Sequence, residues 1–79
     1  MMKTTLTPLR DRVLVQITGH FGGESERGPL IGRVLACGSN VDGLSLYNGQ
    51  HVLFGKYAGT ELPCDQRVLA ADEILSTVR

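Results

Sequence analysis

The sequence predicts an all-β fold, a small β-barrel with one short helical turn near its C-terminus. Three observations carry this. Apolar residues, many of them β-branched, recur at alternate positions in short runs. Glycines and turn dipeptides separate the runs. No amphipathic stretch reaches the length of an ordinary helix. With 79 residues, 42% of them hydrophobic, the chain is read as one domain over 1–79, without internal repeats.

The first strand is expected over Arg12–Ile17, where Val13, Val15 and Ile17 share one face and Leu14 and Gln16 the other. The stretch 18–29 holds four glycines, Pro29 and only one large apolar residue, Phe21, too little to anchor it in a core, and it is read as a mobile loop. The second strand is expected over Leu30–Cys37. Leu30, Val34 and Ala36 oppose Ile31, Leu35 and Cys37, and Arg33 alone interrupts, a pattern apolar on both faces that suits a barrel wall meeting a neighbour.

Gly38–Gly43 is a turn cluster, and Asn48-Gly49 is a hairpin signal between Leu44–Tyr47 and Gln50–Phe54. Gly55, Gly59 and Pro63 leave room for short strands at Thr60–Leu62 and Arg67–Ala70. Asp72 is placed to cap a helical turn over Glu73–Leu75, after which Ser76–Val78 resumes extended structure.

Composition narrows the functional classes. Eight basic and eight acidic side chains cancel, whereas a nucleic-acid binder needs a basic excess on some face, so nucleic acid is not an expected partner. Neither a signal peptide nor a run of about 20 apolar residues is present, which points to a cytoplasmic protein without membrane attachment. Asp11, Asp72 and His51 accompany no nucleophile motif, and no enzymatic activity is expected. His20, His51, Cys37 and Cys64 lack metal-ligand spacing, and neither metal nor cofactor is expected. Cys37 and Cys64 could pair, although a cytosolic chain favours a buried, reduced Cys37.

A domain of this size buries only roughly 60% of the surface its unfolded chain exposes, so its core is marginal. With neither a disulfide framework nor a metal available, oligomerisation is the remaining support. The apolar residues near the two ends, Leu6, Leu9, Ile74, Leu75 and Val78, are the candidate subunit interface.

Several segments resemble the chaperonin-10 (co-chaperonin, GroES-like) family. Pro8-Leu9-Arg10-Asp11-Arg12-Val13-Leu14-Val15 resembles its opening strand, and Gly32-Arg33-Val34-Leu35-Ala36-Cys37-Gly38 its second strand and glycine turn. Gly49-Gln50-His51-Val52-Leu53-Phe54-Gly55-Lys56-Tyr57-Ala58-Gly59-Thr60-Glu61 is similar to a family hallmark, and Arg67-Val68-Leu69 through Asp72-Glu73-Ile74-Leu75 is similar to the closing segment. The resemblance implies a GroES-like barrel in a homo-heptameric ring that caps a nucleotide-bound chaperonin-60 (GroEL-like) chamber, one loop per subunit reaching the rim. It also implies that terminal strands of adjacent subunits pair and that Tyr57 faces the chamber. A tyrosine packed at a barrel end is the alternative for Tyr57.

Two departures stand out. In the family an aliphatic tripeptide comes after the loop's Gly-Gly pair, but here Gly22-Gly23 precedes Glu24-Ser25-Glu26. Between Gly38 and Leu46, where many members insert a roof hairpin, only a short segment stands, and this resembles the reduced roofs of bacteriophage co-chaperonins. The host is then a bacterial or phage-infected cell. Candidate chaperonin-binding residues are Phe21, Gly22, Gly23, Leu30 and Ile31. Phe21 is either an anchor or packed on its own barrel, whereas Leu30 and Ile31 are either anchors or the start of the second strand. Alternatives to an active lid are a decoy or inhibitory ring, and a free-standing module that binds peptides or oligonucleotides, which the scarcity of aromatic rings disfavours. Limited proteolysis is predicted to cut first between Gly19 and Arg27. First cleavage at Asn48 or Tyr57 would contradict the loop assignment.

Overall fold

Alternating apolar positions in short runs become strands here because each run can turn one face to a common core. The computed structural model describes residues 7–21, 28–38 and 46–78. These contain six strands: β1 (Arg12–His20), β2 (Leu30–Cys37), β3 (His51–Phe54), β4 (Thr60–Leu62), β5 (Gln66–Ala70) and β6 (Ile74–Val78). A single 3-10 turn, Ala71–Glu73, is the helical element among the described residues. The strands form one antiparallel sheet in the order β4-β5-β1-β2-β3-β6. No helix among the described residues is long and apolar enough to cross a membrane.

The sheet is curled. The segment Gly55–Gly59 carries the chain from β3 to β4, which a flat sheet would hold four strand spacings, about 19 Å, apart. That segment is itself folded into a turn, with the Ala58 N–H donating to the Gly55 carbonyl at 3.1 Å, and has no length to spare. Closing the sheet brings the inward faces of its strands onto one cluster of Val13, Val15, Leu30, Val34, Val52, Phe54, Leu69 and Ala71, against which Ile17, Ala58 and Ile74 also pack.

Register shifts supply the bending, because an extra residue on one strand increases local twist and reverses the facing of the residues beyond it. On β2 the pairing passes from Val15↔Val34 to Leu14↔Ala36, so Leu35 is the extra residue. Leu30, Gly32 and Val34 face inward, but beyond the bulge Cys37 takes the core-facing place that strict alternation assigns to Ala36. On β1, Thr18 is the extra residue, and its hydroxyl donates to the Ile31 carbonyl at 3.2 Å. On β6, Leu75 bulges out between Ile74, opposite Phe54, and Ser76, opposite Leu53.

Three expectations are corrected. β1 continues through Thr18, Gly19 and His20, because Ile31 pairs with Gly19 and Leu30 with His20, carrying Thr18 along as the bulged residue, so those residues are strand rather than loop. The Asn48-Gly49 turn forms, with Gly49 at φ +91°, but Leu46 and Tyr47 are not a strand. The turn docks instead on β2, the Gly49 N–H donating to the Val34 carbonyl at 2.7 Å and the Val34 N–H to the Gln50 carbonyl at 2.8 Å. Leu44 and Ser45 lie outside the described residues. Near the C-terminus, Ala70 rather than Asp72 precedes the helical turn, and Ile74 already belongs to β6. Glu73 reaches back to the Ala70 N–H at 2.8 Å, and pairing of Ile74 with Phe54 recruits it to the sheet.

Gly38 marks a close backbone approach. A Cβ there would lie 2.2 Å from the Arg10 carbonyl oxygen, where the chain passes through a left-handed turn at Arg10, φ 55°. Gly38→Ala is therefore predicted to lower unfolding free energy by about 1–3 kcal/mol. Gly19→Ala, whose Cβ would meet nothing within 4 Å, should stay within about 0.5 kcal/mol of wild type in the same urea titration.

Candidate functional site

At one end of the β1–β2 hairpin the Phe21 N–H donates to the Pro29 carbonyl at 2.9 Å, pinching the two strands together just before the connecting segment 22–27. Phe21 is 54% exposed and stands outside the core cluster. Leu30, opposite His20, is only 4% exposed and packs in the core, opposite Phe54 in the β2–β3 register. Of the two readings of Leu30, the structure shows the strand-and-core one. Ile31 is half-buried and pairs with Leu53. Gly22 and Gly23 lie outside the described residues, as does the segment 39–45 where a roof hairpin would stand.

The residues expected at a subunit interface fall on two surfaces. Leu9 is exposed and, with Pro8, Leu14 and Val68, lines an apolar groove of about 280 Å³ on the outer side of β1 and β5. Leu14 is buried yet absent from the core cluster, since its face of β1 is the outer one. Ile74 and Leu75 line a second groove of about 170 Å³ with Leu46, Ala71 and Thr77. Ile74 packs against the core, Leu75 is 64% exposed at the bulge, and Val78 is half-buried opposite His51. Leu6 lies outside the described residues. β6 is an edge strand without Lys, Pro or any other charge within Ile74–Val78, so its outer hydrogen-bonding groups are unprotected against pairing. The opposite edge, β4, is only three residues long and carries Glu61.

Between those edges runs a clasp that alternation and turn signals did not reveal. One Glu73 carboxylate oxygen accepts from the Ala70 N–H at 2.8 Å and the other from the Gly59 N–H at 3.2 Å, tying the start of β6 to the start of β4. From β5, the Arg67 side chain points inward and is 6% exposed. Its Nη1 donates to the carbonyls of Lys56 and, at 3.0 Å, Ala58, while its Nη2 meets Glu61 Oε1 at 3.1 Å. Burying a guanidinium is costly unless it is paired and hydrogen-bonded, and this arrangement meets most of that requirement. The signal was available: Arg67 lies two residues from Leu69, so strand alternation places both on the inward face.

Tyr57 sits between the two carbonyls that Arg67 holds. It is 88% exposed, with Lys56 Nζ 5.8 Å from its ring centroid. His20 and His51 are exposed on β1 and β3. Cys37 ends β2 opposite Val13, and Cys64 is exposed in the β4–β5 turn, where its carbonyl accepts from Gln16, so the two lie on opposite sides of β1 without a disulfide. No cluster of three or more His, Cys, Asp or Glu suited to a metal occurs among the described residues.

The curled antiparallel sheet, its clasped seam and its open apolar edge define a small β-barrel domain with surfaces left for partners. Residues 5–78 match the family model of the Chaperonin 10 Kd subunit, and the chain belongs to the chaperonin-10 family. It is 41% identical over 54 residues to the Co-chaperonin GroES of Campylobacter concisus (strain 13826). That stretch covers 65% of this chain and 60% of the relative's length.

The separation of Leu30 from Phe21 is testable without any partner. Leu30→Ala should cost about 2–5 kcal/mol of unfolding free energy, whereas Phe21→Ser should change it by no more than about 0.5 kcal/mol. Equal losses in thermal or urea unfolding would show that Phe21 packs on its own barrel.

Proposed function

We propose that this chain is a co-chaperonin subunit. Copies assemble into a ring of seven that caps the chamber of a nucleotide-bound chaperonin-60 (GroEL-like) ring and assists ATP-dependent protein folding in the cytoplasm of a bacterial or phage-infected cell. The observation that carries this reading is the family match along residues 5–78, joined by likeness to a protein named as a co-chaperonin.

The geometry adds physical support. A closed ring needs a heterologous interface, in which one surface of a subunit meets a different surface of the next. The unprotected β6 edge with Leu75 and the outer groove lined by Leu9, Leu14 and Val68 are two such surfaces on different strands. Mutual coverage would remove apolar area that a lone barrel of this size leaves wet.

The contact with the chaperonin is assigned to the β1–β2 connection, with Phe21 as its apolar anchor. Leu30 is withdrawn from that role, since exposing it would empty part of the core. Burying one phenylalanine yields roughly 1.5–3 kcal/mol, too little alone to order a glycine-rich connection. Linked copies in a ring change this, because after the first contact the others bind at an effective concentration near the millimolar range, about that of short flexible linkers.

Phe21→Ser is accordingly predicted to leave the ring intact by native mass spectrometry and to abolish capped complexes in electron micrographs of protein mixed with a chaperonin and ATP. Capping by the variant at wild-type frequency would move the contact elsewhere. A wild-type protein that stays monomeric across the micromolar range would remove the ring.

A further inference from the structure

The buried guanidinium of Arg67 has a use that the barrel's own closure does not account for. Glu73 already ties the Gly55–Gly59 segment to the start of β6 through the Gly59 N–H. Arg67 acts one step earlier in that segment. A single nitrogen, Nη1, donates to the carbonyls of both Lys56 and Ala58, the residues immediately before and after Tyr57. Tyr57 is 88% exposed, so packing does not hold its side chain, and its direction depends on how firmly its backbone is held. Arg67 is itself held on the other side by Glu61, and its planar fork can serve these acceptors together, which the point charge of a lysine cannot.

We propose that Arg67 is a positioning residue for the Tyr57 turn, pinning the backbone on both sides of the tyrosine so that its Cα–Cβ bond leaves the barrel in a fixed direction. Resting on the lid reading, this makes Tyr57 a contact presented from a fixed backbone site to an enclosed polypeptide. The positioning itself is a property of the free protein and does not require a chaperonin.

The test is made on the free full-length chain. In Arg67→Met, a side chain of similar length fills the site without donors. Backbone 15N order parameters at residues 56–58 should fall from about 0.85 to below about 0.6. Amide exchange at Ala58 and Gly59 should accelerate by roughly tenfold, the size expected for losing one net hydrogen bond, while exchange at core Val52 stays as in wild type. Unchanged order and exchange in a variant whose Val52 remains protected would overturn the proposal.

A second measurement, on the wild type, decides the matter even where Arg67→Met does not fold. The Nη protons of Arg67 should exchange at least about tenfold more slowly than those of Arg12, whose partner Asp11 lies at the surface. Equal rates would show that the guanidinium does not hold the turn. Because neither readout involves capping, a failed capping assay would overturn the lid reading alone.

Discussion

The carboxylate of Glu73 joins two places that are far apart along the sheet, accepting from Ala70 just before the 3-10 turn and from Gly59 just before β4. Its two hydrogen bonds lie where β4 and β6, the outermost strands of the sheet, approach each other. The rest of the barrel depends on that seam. Without it, the β3–β4 connection would have to span a distance its turn cannot cover, and the faces carrying Val52, Phe54 and Leu69 would not meet over one core. Arg67 braces the adjoining Gly55–Gly59 segment and Glu61 from within, at the cost of placing a charge where the core pattern calls for an apolar side chain.

Closure at this seam is by side chains rather than by a continuous ladder, and that leaves backbone groups on β6 available. A short strand without charge or proline, carrying a protruding Leu75, is poorly defended against pairing with another chain. In a chaperonin-10 family member of this size, the proposed ring gives that edge a partner. Stability of the single barrel and assembly of the ring are then two parts of one burial problem, because the residues that finish the core of one subunit adjoin those that would be covered by the next.

The Phe21 and Leu30 pair shows how neighbouring apolar residues are sorted by register. Both flank the same glycine-rich connection. The ladder with β3 turns Leu30 inward, opposite Phe54, whereas Phe21 lies past the last β1 pair and has no strand face to occupy. Of these two side chains Phe21 is the exposed one, and in the proposed ring its contribution to binding would rest on few apolar atoms repeated from copy to copy.

The positions of β2, β3, β4 and β5, most of β1 and the turn at Asn48-Gly49 were legible from the chain alone, because alternation and turn chemistry are local. So was the family, since its matching segments lie in order along the chain. Which residue faces the core beyond a bulge was not legible: Leu35, Thr18 and Leu75 are the extra residues because of what their partner strands offer, and each reverses the facing that alternation predicts. The same holds for Ile74 joining β6, and the choice between the two readings of Leu30 likewise waited on its register with Phe54. The sequence alone determined where most of the strands run and what kind of barrel they build. Only the tertiary structure decided the seam, the facing beyond each bulge and the partners of Arg67 and Glu73, because those depend on which carbonyls and N–H groups the closed sheet brings across from distant parts of the chain.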